Sequence, residues 1–213
     1  MSDPWAYLEA NYECEPPPMT LFCGKTTTDG RLLLATDSIE VNGRFYARDS
    51  GKKLAPLPYT GLWWGFSGSA HLGTRLEARM AAHDWGHWPE SWPGVLDFLR
   101  FTVAELNVGL SGPSQMGILL GGFVNGASCL VKIGTDGVVK DDQDPVFVGA
   151  VDSEARVVWE ATRILGHDRE PTERRFEVIY RSIVDSGSVI IGFPVHLLTL
   201  DANGDHAWET VLQ

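Results

Sequence analysis

Residues 15–38, EPPPMTLFCGKTTTDGRLLLATDS, contain the change of sequence pattern that decides the fold. Prolines 16–18 end an acidic segment and favour an extended linker, because proline fixes φ and lacks a backbone donor. Two apolar runs follow on either side of Asp29-Gly30, a dipeptide that is typical of tight β-hairpin turns. We therefore predict a tail or propeptide over residues 1–19 and a folded domain over residues 20–213.

The folded part alternates blocks of strands with pairs of helices. Helical periodicity predicts helices over 70–84, 94–110, 153–165 and 172–184. Apolar or alternating runs predict strands over 21–24, 32–35, 44–47, 52–54, 62–66, 116–124, 128–133, 195–200 and 206–211, with 44–47 paired to 52–54. Helix pairs between blocks of hairpins predict an α+β fold, a four-layer αββα sandwich of two antiparallel sheets flanked by helix pairs.

Composition excludes several classes of protein. With 44% hydrophobic residues and eight tryptophans, 213 residues can bury the core of one domain. A net charge of −11 with scattered basic residues argues against a nucleic-acid partner. No apolar run is long enough to span a membrane, and residues 1–19 lack the features of a secretory signal. Three cysteines without CxxC spacing are typical of reduced thiols, so we expect a cytoplasmic protein.

Two possible sites, a histidine metal site and a reactive cysteine, are predicted to be structural instead. His83 and His87 have the spacing of helical metal ligands, but Gly86 interrupts a helix there, so we predict a loop of packed aromatic residues and no metal. Cys23 lies within the first predicted strand and is interpreted as a core residue. The glycines of 117–122 are not followed by a helix, as a phosphate-binding loop would be. We therefore predict no cofactor.

Four short motifs in sequence order resemble those of proteasome β-type subunits, which are N-terminal nucleophile hydrolases. The motifs are Thr20 with the hairpin through Asp37, Gly51-Lys52-Lys53-Leu54, Phe66-Ser67-Gly68-Ser69-Ala70, and Asp185-Ser186-Gly187-Ser188. The resemblance extends from Thr20 to the end of the chain. It includes the bacterial two-component proteasome-like peptidases and the ancestral-β-subunit group, and the run 188–198 is more similar to the second.

The resemblance implies a threonine-type peptidase. Thr20 at a free N-terminus would attack an amide carbonyl through Oγ, and its own α-amine would take the proton through a water. A lysine nearby would lower the pKa of both groups by its positive charge. The implied catalytic residues are Thr20 as nucleophile, Lys53 as that cation, Asp37 as its partner, Gly68 as the oxyanion-hole donor, and Asp185 and Ser188 as residues that position the amine and water.

The resemblance also implies a substrate pocket near these residues. Phe66 occupies the position two before the glycine, where the family sets part of its specificity, and Ala70 and Gly51 are implied to lie beside it. A phenylalanine there would shorten the pocket, so we expect a preference for small or neutral side chains. The implied substrates are peptides or unfolded proteins.

Two departures from the family pattern leave the activity open. Met19 stands where self-processing members have glycine, and Ala150 stands where they usually have serine. Either translation begins at Met19 and methionine removal exposes Thr20, or residues 1–18, with a helix-like piece over 3–12, are a true tail. The chain is accordingly either an active peptidase or a catalytically inactive structural or gating subunit.

The resemblance implies self-association into rings or a related multimer. Exposed helical layers and the tryptophan-rich connection 85–92 would bury apolar surface between copies. A separate ATPase unfoldase is a partner that the family also implies, and this sequence carries no nucleotide-binding motif of its own.

Overall fold

The computed structural model describes residues 20–38, 40–42, 45–47, 53–58, 60–68, 70–85, 92–110, 116–141, 144–149, 151–187 and 191–212. The strands are β1 (Leu21–Thr26), β2 (Leu32–Asp37), β3 (Glu40–Asn42), β4 (Phe45–Ala47), β5 (Ala55–Pro56), β6 (Trp63–Ser67), β7 (Gly117–Val124), β8 (Ala127–Ile133), β9 (Val139–Lys140), β10 (Val146–Gly149), β11 (Val195–Leu200) and β12 (His206–Leu212). The helices are α1 (Ala70–Ala82), α2 (Trp92–Leu106), α3 (Asp152–Ile164) and α4 (Thr172–Asp185), with a 3-10 turn at His167–Arg169.

The strands form two five-stranded antiparallel sheets and one short hairpin. Sheet 1 has the order β10-β1-β2-β11-β12, and sheet 2 has the order β5-β6-β7-β8-β9. Among the described residues, β3 and β4 pair only with each other. In sheet 1, β1 therefore lies between its hairpin partner β2 and β10, which comes more than a hundred residues later in the chain.

Three apolar layers hold these elements together. Phe22 and Leu34 of sheet 1 pack with Leu119 of sheet 2 between the sheets. Along β1, Leu21 and Cys23 instead face the outer helices α3 and α4, because side chains alternate across a strand. Helices α1 and α2 cover the outer face of sheet 2. The predicted αββα sandwich is therefore confirmed.

The turns show why the sequence specifies antiparallel pairs. Asn125 and Gly126 join β7 to β8 with φ of 52° and 77°, a conformation in which asparagine and glycine are favoured and which matches the twist of paired strands. Gly30 likewise has a φ of 82° between β1 and β2. Both predicted hairpins are confirmed.

The predicted pairing of 44–47 with 52–54 is wrong. β4 pairs with β3 instead. β3 ends at Asn42, which Gly43 follows in the sequence, and Asn-Gly is more typical of a hairpin turn than the sequence at 49–51. Residues 53–54 are not in a strand, and the neighbouring β5 pairs with β6. Four short strands, β3, β5, β9 and β10, were not predicted from the sequence, because two to four residues are too few for a period-2 pattern.

Two helix ends differ from the prediction. α2 ends at Leu106 rather than residue 110, because the Asn107 side chain leaves the helix and accepts the Met116 backbone N–H at 2.7 Å. Gly109 then adopts a φ of 79°. α1 ends at Ala82 rather than residue 84. Among the described residues, none of these helices is long and apolar enough to cross a membrane.

A buried arginine fixes α3 against α4. The Arg175 guanidinium lies 3.4 Å from the centroid of the Trp159 ring, and its Nε donates to Thr162 Oγ1 at 3.0 Å. Stacking on an aromatic face offsets part of the cost of burying this charge. The pair of helices therefore forms one rigid layer over sheet 1, and this layer positions the start of α3 beside β10.

Candidate active site

Thr20 immediately precedes β1, at the end of sheet 1 where β1 meets β10. Leu21 pairs with Gly149, and a Cβ at position 149 would lie 1.9 Å from the Thr20 carbonyl oxygen. Gly149 has a φ of 146°, which only glycine adopts readily. Ser67 of sheet 2 donates through Oγ to the same carbonyl at 3.2 Å. Both sheets therefore hold the backbone of Thr20.

Lys53 brings a positive charge to the Thr20 hydroxyl. Its Nζ donates to Thr20 Oγ1 at 3.1 Å and to Asp37 Oδ2 at 3.0 Å. The lysine side chain is only 16% exposed, and the aspartate side chain is not exposed at all. Since the low-dielectric surroundings strengthen electrostatic interactions, this ammonium can stabilise negative charge on the threonine oxygen.

Asp37 is held in place by the hairpin that precedes it. It is the last residue of β2, and its Oδ1 accepts the Leu21 backbone N–H at 3.1 Å. The other carboxylate oxygen accepts from Lys53, so both oxygens of this buried group have partners. The Asp37 carboxylate therefore holds the Lys53 ammonium close to Leu21, the residue that follows Thr20.

A tyrosine supports the site from the helical layer. Tyr180 of α4 is fully buried and donates through its hydroxyl to the Leu21 carbonyl at 2.7 Å. Burial raises the pKa of the Tyr180 phenol well above its usual value, so the hydroxyl keeps its proton and remains a donor. Burial also raises the pKa of the Cys23 thiol, against the smaller effect of its hydrogen bond with Tyr180. Cys23 is thus a neutral thiol inside the core.

The oxyanion-hole and pocket candidates lie on the β6–α1 connection. Gly68 follows Ser67 directly and has a φ of 135°. Phe66 points to the other face of sheet 2 and packs beneath α1, where a Cβ at Gly73 would lie 1.8 Å from its ring. Ala70 is the first residue of α1.

The remaining candidates are placed less directly. Asp185 is the last residue of α4 and its side chain is exposed. Gly51 and Ser188 lie outside the described residues, as does Ala150. The structure joins Thr20, Asp37 and Lys53 by direct contacts, whereas the roles of the other candidates stay predictions.

Three residues that touch the site, Ser67, Gly149 and Tyr180, had no role in it predicted from the sequence. Ser67 stands next to Gly68 in a quoted motif, so a search for polar neighbours of the glycine could have found it. The closeness of Gly149 to Thr20 follows from a strand that was not predicted. Tyr180 occupies an apolar position of an amphipathic helix, and no signal in the sequence separates it from ordinary core residues.

The histidine region around residue 83 is an aromatic cluster. The His83 ring lies 3.9 Å from the Phe98 ring in a stacked arrangement and 4.7 Å from the Trp85 ring in an edge arrangement. His87 lies outside the described residues. Within the described part of the chain, no group of three or more metal-binding side chains comes together.

Comparison with known proteins identifies the fold from structure alone. No protein-family model matches the sequence, and no curated protein matches it. Solved structures that are similar include Anbu from Hyphomicrobium sp. strain MC1, with a TM-score of 0.68 and 14% identity over 90% of this chain and 87% of that one. A Gly-1 mutant of Anbu from the same strain has a TM-score of 0.69 and 13% identity over 91% and 87% of the two chains.

A second organism gives the same result. Anbu (ancestral beta-subunit) from Yersinia bercovieri has a TM-score of 0.66 and 16% identity over 90% of this chain and 87% of that one. The match covers 90% of this chain, while the identity is too low to transfer an activity. The chain therefore has the proteasome-like fold of the ancestral β-subunit structures.

Proposed function

We propose that this chain is a threonine-type peptidase with Thr20 as its nucleophile. The observation that carries the proposal is the 3.1 Å contact between Lys53 Nζ and Thr20 Oγ1, made by a lysine that a buried carboxylate holds in place. Stability alone is a weak explanation for a buried ion pair, because well-packed apolar side chains often stabilise a fold equally well. A charged pair aimed at a hydroxyl is better explained by chemistry.

The reaction would begin once Thr20 has a free α-amine. That amine takes the Oγ proton through a water, and Oγ forms a bond to the carbonyl carbon of the substrate. The Lys53 ammonium stabilises the negative charge that develops on Oγ. The tetrahedral intermediate then collapses, the carbon–nitrogen bond breaks, and the proton passes from the threonine amine to the leaving amine. Water hydrolyses the resulting ester and restores Thr20.

Three further residues would assist these steps. The Gly68 backbone N–H, one residue beyond the serine that holds the Thr20 carbonyl, is proposed to donate to the oxyanion, and one such donor contributes about 3 kcal/mol in a serine protease. Asp185 is proposed to help position the amine, together with Ser188. Phe66 is proposed to affect the preference for small or neutral side chains only indirectly, through the position of α1, because its ring packs beneath that helix.

The second candidate function is an inactive structural or gating subunit. It is favoured by the bond between Met19 and Thr20, because an amide nitrogen cannot accept the proton. Ala150 in place of the usual serine also favours it. Activity therefore requires that residues 1–19 be removed or never made.

In either case we propose that the chain is a subunit of a larger assembly in the cytoplasm. The similar solved structures include one described as a β-subunit. The helical layer over sheet 2 exposes the large apolar side chain of Phe101, which is 63% exposed. Substrate peptides and an ATPase unfoldase are the proposed partners.

Two versions of the chain test the catalytic proposal, the full chain and one that begins at Met19. Intact mass shows whether Thr20 becomes N-terminal, and an epoxyketone or β-lactone should then label it. Thr20→Ala removes the attacking oxygen and Lys53→Ala the activating charge, so neither variant should be labelled. Lys25→Ala is the matched control, because this lysine pairs with Asp144 away from Thr20.

The result that overturns the proposal is specific. If the shorter chain exposes Thr20 and assembles, yet is neither labelled nor able to cleave any peptide, the peptidase function is wrong. The inactive subunit is then the remaining candidate.

A further inference from the structure

An open groove runs along one side of α3. Its volume is about 550 Å³, and Phe147 of β10 forms part of its floor. Val157 and Ile164 form its apolar wall, and they are 69% and 77% exposed. Apolar side chains this exposed on the same side of one helix indicate a surface that another segment covers.

The groove is locally positive in an acidic chain. Its cations are Lys132, Lys140 and Arg156, and the guanidinium of Arg156 lies 5.5 Å from the ring of Phe147. Asp152 forms an ion pair with Lys132. The other carboxylate in the lining, Glu160, is paired with Arg163. The groove thus suits an occupant that carries both carboxylates and apolar side chains.

Traced backwards, β1 is directed towards one end of this groove. Leu21 pairs with Gly149 in antiparallel strands, so β1 traced backwards has the direction in which β10 runs forwards. β10 is followed by α3, whose first residue, Asp152, is part of the groove lining. A segment that continued the direction of β1 upstream of Thr20 would therefore reach the end of the groove.

The composition of this segment complements the groove. Residues 1–18 contain four carboxylates and no lysine, arginine or histidine. They also contain Trp5, Leu8 and Tyr12, which share one face at helical spacing. Acidic side chains would face the groove cations, and the apolar face would meet Val157 and Ile164.

We propose that residues 1–18 dock in cis into the α3 groove of their own chain. The lengths are compatible, because residues 13–19 in an extended conformation span up to about 22 Å and can reach any point along α3, whose 13 residues span about 20 Å. Residues 3–12 as a helix span about 15 Å, which fits within that length. This docking needs residues 1–18 to be present, but it requires no chemistry at Thr20, so its test does not depend on the catalytic proposal.

The test is the formation of a disulfide, in the full chain, between one cysteine in residues 1–18 and one in the groove. Ala6→Cys is combined with Ala161→Cys, an exposed groove position, in a Cys14→Ser background. The native thiols do not compete, because Cys23 is fully buried and burial raises the pKa of Cys129 to about 12. Oxidised glutathione is the oxidant, and intact mass and peptide mapping identify the product.

The control variant combines Ala6→Cys with Ala82→Cys in place of Ala161→Cys. Ala82 is an exposed alanine of α1, in the other helical layer. We expect the groove pair to form its disulfide about tenfold faster or more, because docking raises the effective concentration of the two thiols. Equal rates at the two positions overturn the proposal.

Charge reversal gives a second, independent readout. Lys140→Glu and Arg156→Glu should each slow disulfide formation by the groove pair several-fold, and so should about 1 M salt, because both weaken attraction to the acidic segment. Arg100→Glu, which makes the same charge change on α2, should leave the rate unchanged. A rate that does not respond to groove charge, or a disulfide that links two chains instead of one, contradicts docking in cis.

Discussion

The stability of Lys53→Met measures how strongly the fold depends on the ion pair beside Thr20. Asp37 has no exposed surface, and its Oδ2 lies 3.0 Å from Lys53 Nζ. At an effective dielectric constant of about 20, the attraction at this distance is about 5 kcal/mol before desolvation. Removing one partner of a buried pair costs about 3–5 kcal/mol, because the other charge stays buried. The Leu21 N–H still binds Asp37, so we expect the lower end, about 3 kcal/mol.

Urea unfolding followed by tryptophan fluorescence measures this loss. For a typical urea slope, about 3 kcal/mol corresponds to a midpoint lower by about 1–2 M. Arg79→Met is the matched control, because Arg79 pairs with Glu105, which is 66% exposed, and such exposed pairs contribute little to stability. Asp37→Asn added to Lys53→Met should recover part of the loss. If Lys53→Met is no more destabilising than Arg79→Met, the argument from burial is wrong.

Three further predictions concern the surroundings of the site. Gly149→Ala should destabilise the chain by about 2 kcal/mol or more and displace Thr20, since the new Cβ meets a carbonyl oxygen at 1.9 Å and φ is 146°. Tyr180→Phe should cost about 1 kcal/mol in urea unfolding, because the buried Leu21 carbonyl loses a donor at 2.7 Å. Stability should fall as pH rises from about 9 to about 12, since the unfolded chain ionises Cys129 first and burial raises the folded pKa to about 12.

Two of these predictions have a control. Gly187→Ala also places a side chain at a positive φ, of 91°, but into open space, so only backbone strain of about 1 kcal/mol is expected. Cys129→Ala should reduce the loss of stability at high pH. The strain at position 149 is contradicted if Gly149→Ala costs no more stability than Gly187→Ala. The role of the Tyr180 hydroxyl is contradicted if Tyr180→Phe leaves the urea midpoint unchanged. The role of Cys129 is contradicted if Cys129→Ala leaves the pH profile of stability unchanged.

The fold could be predicted from sequence because its signals are local. The turn at Asn125-Gly126 and the helical stripes of α1 to α4 each occupy a short window, and their order alone indicates the four layers. β10 could not be found in this way, since four apolar residues carry no periodicity. Its place next to β1 depends on tertiary packing of segments far apart in the chain.

The site was harder to predict from the sequence because its residues come from distant segments of the chain. Thr20 precedes β1, Asp37 ends β2 and Lys53 lies in a connection, and no pattern within one window relates them. Their selection depended on the family resemblance, and the contacts among them appear only in three dimensions. Ser67 and Tyr180 add hydrogen bonds to the backbone of residues 20 and 21, and a sequence does not reveal which polar side chain reaches a given carbonyl.

Thr20→Val separates the chemistry of the site from its contribution to the fold. The ion pair of Lys53 and Asp37 would support the same fold in an inactive subunit, so stability data alone do not distinguish the two functions. Valine keeps the shape and β-propensity of threonine, while Lys53 keeps Asp37 as a partner, so we expect a stability change below about 1 kcal/mol. In the chain that begins at Met19, the same change should abolish labelling, because only the hydroxyl oxygen can attack. A Thr20→Val chain that is still labelled or still cleaves peptides would place the nucleophile elsewhere.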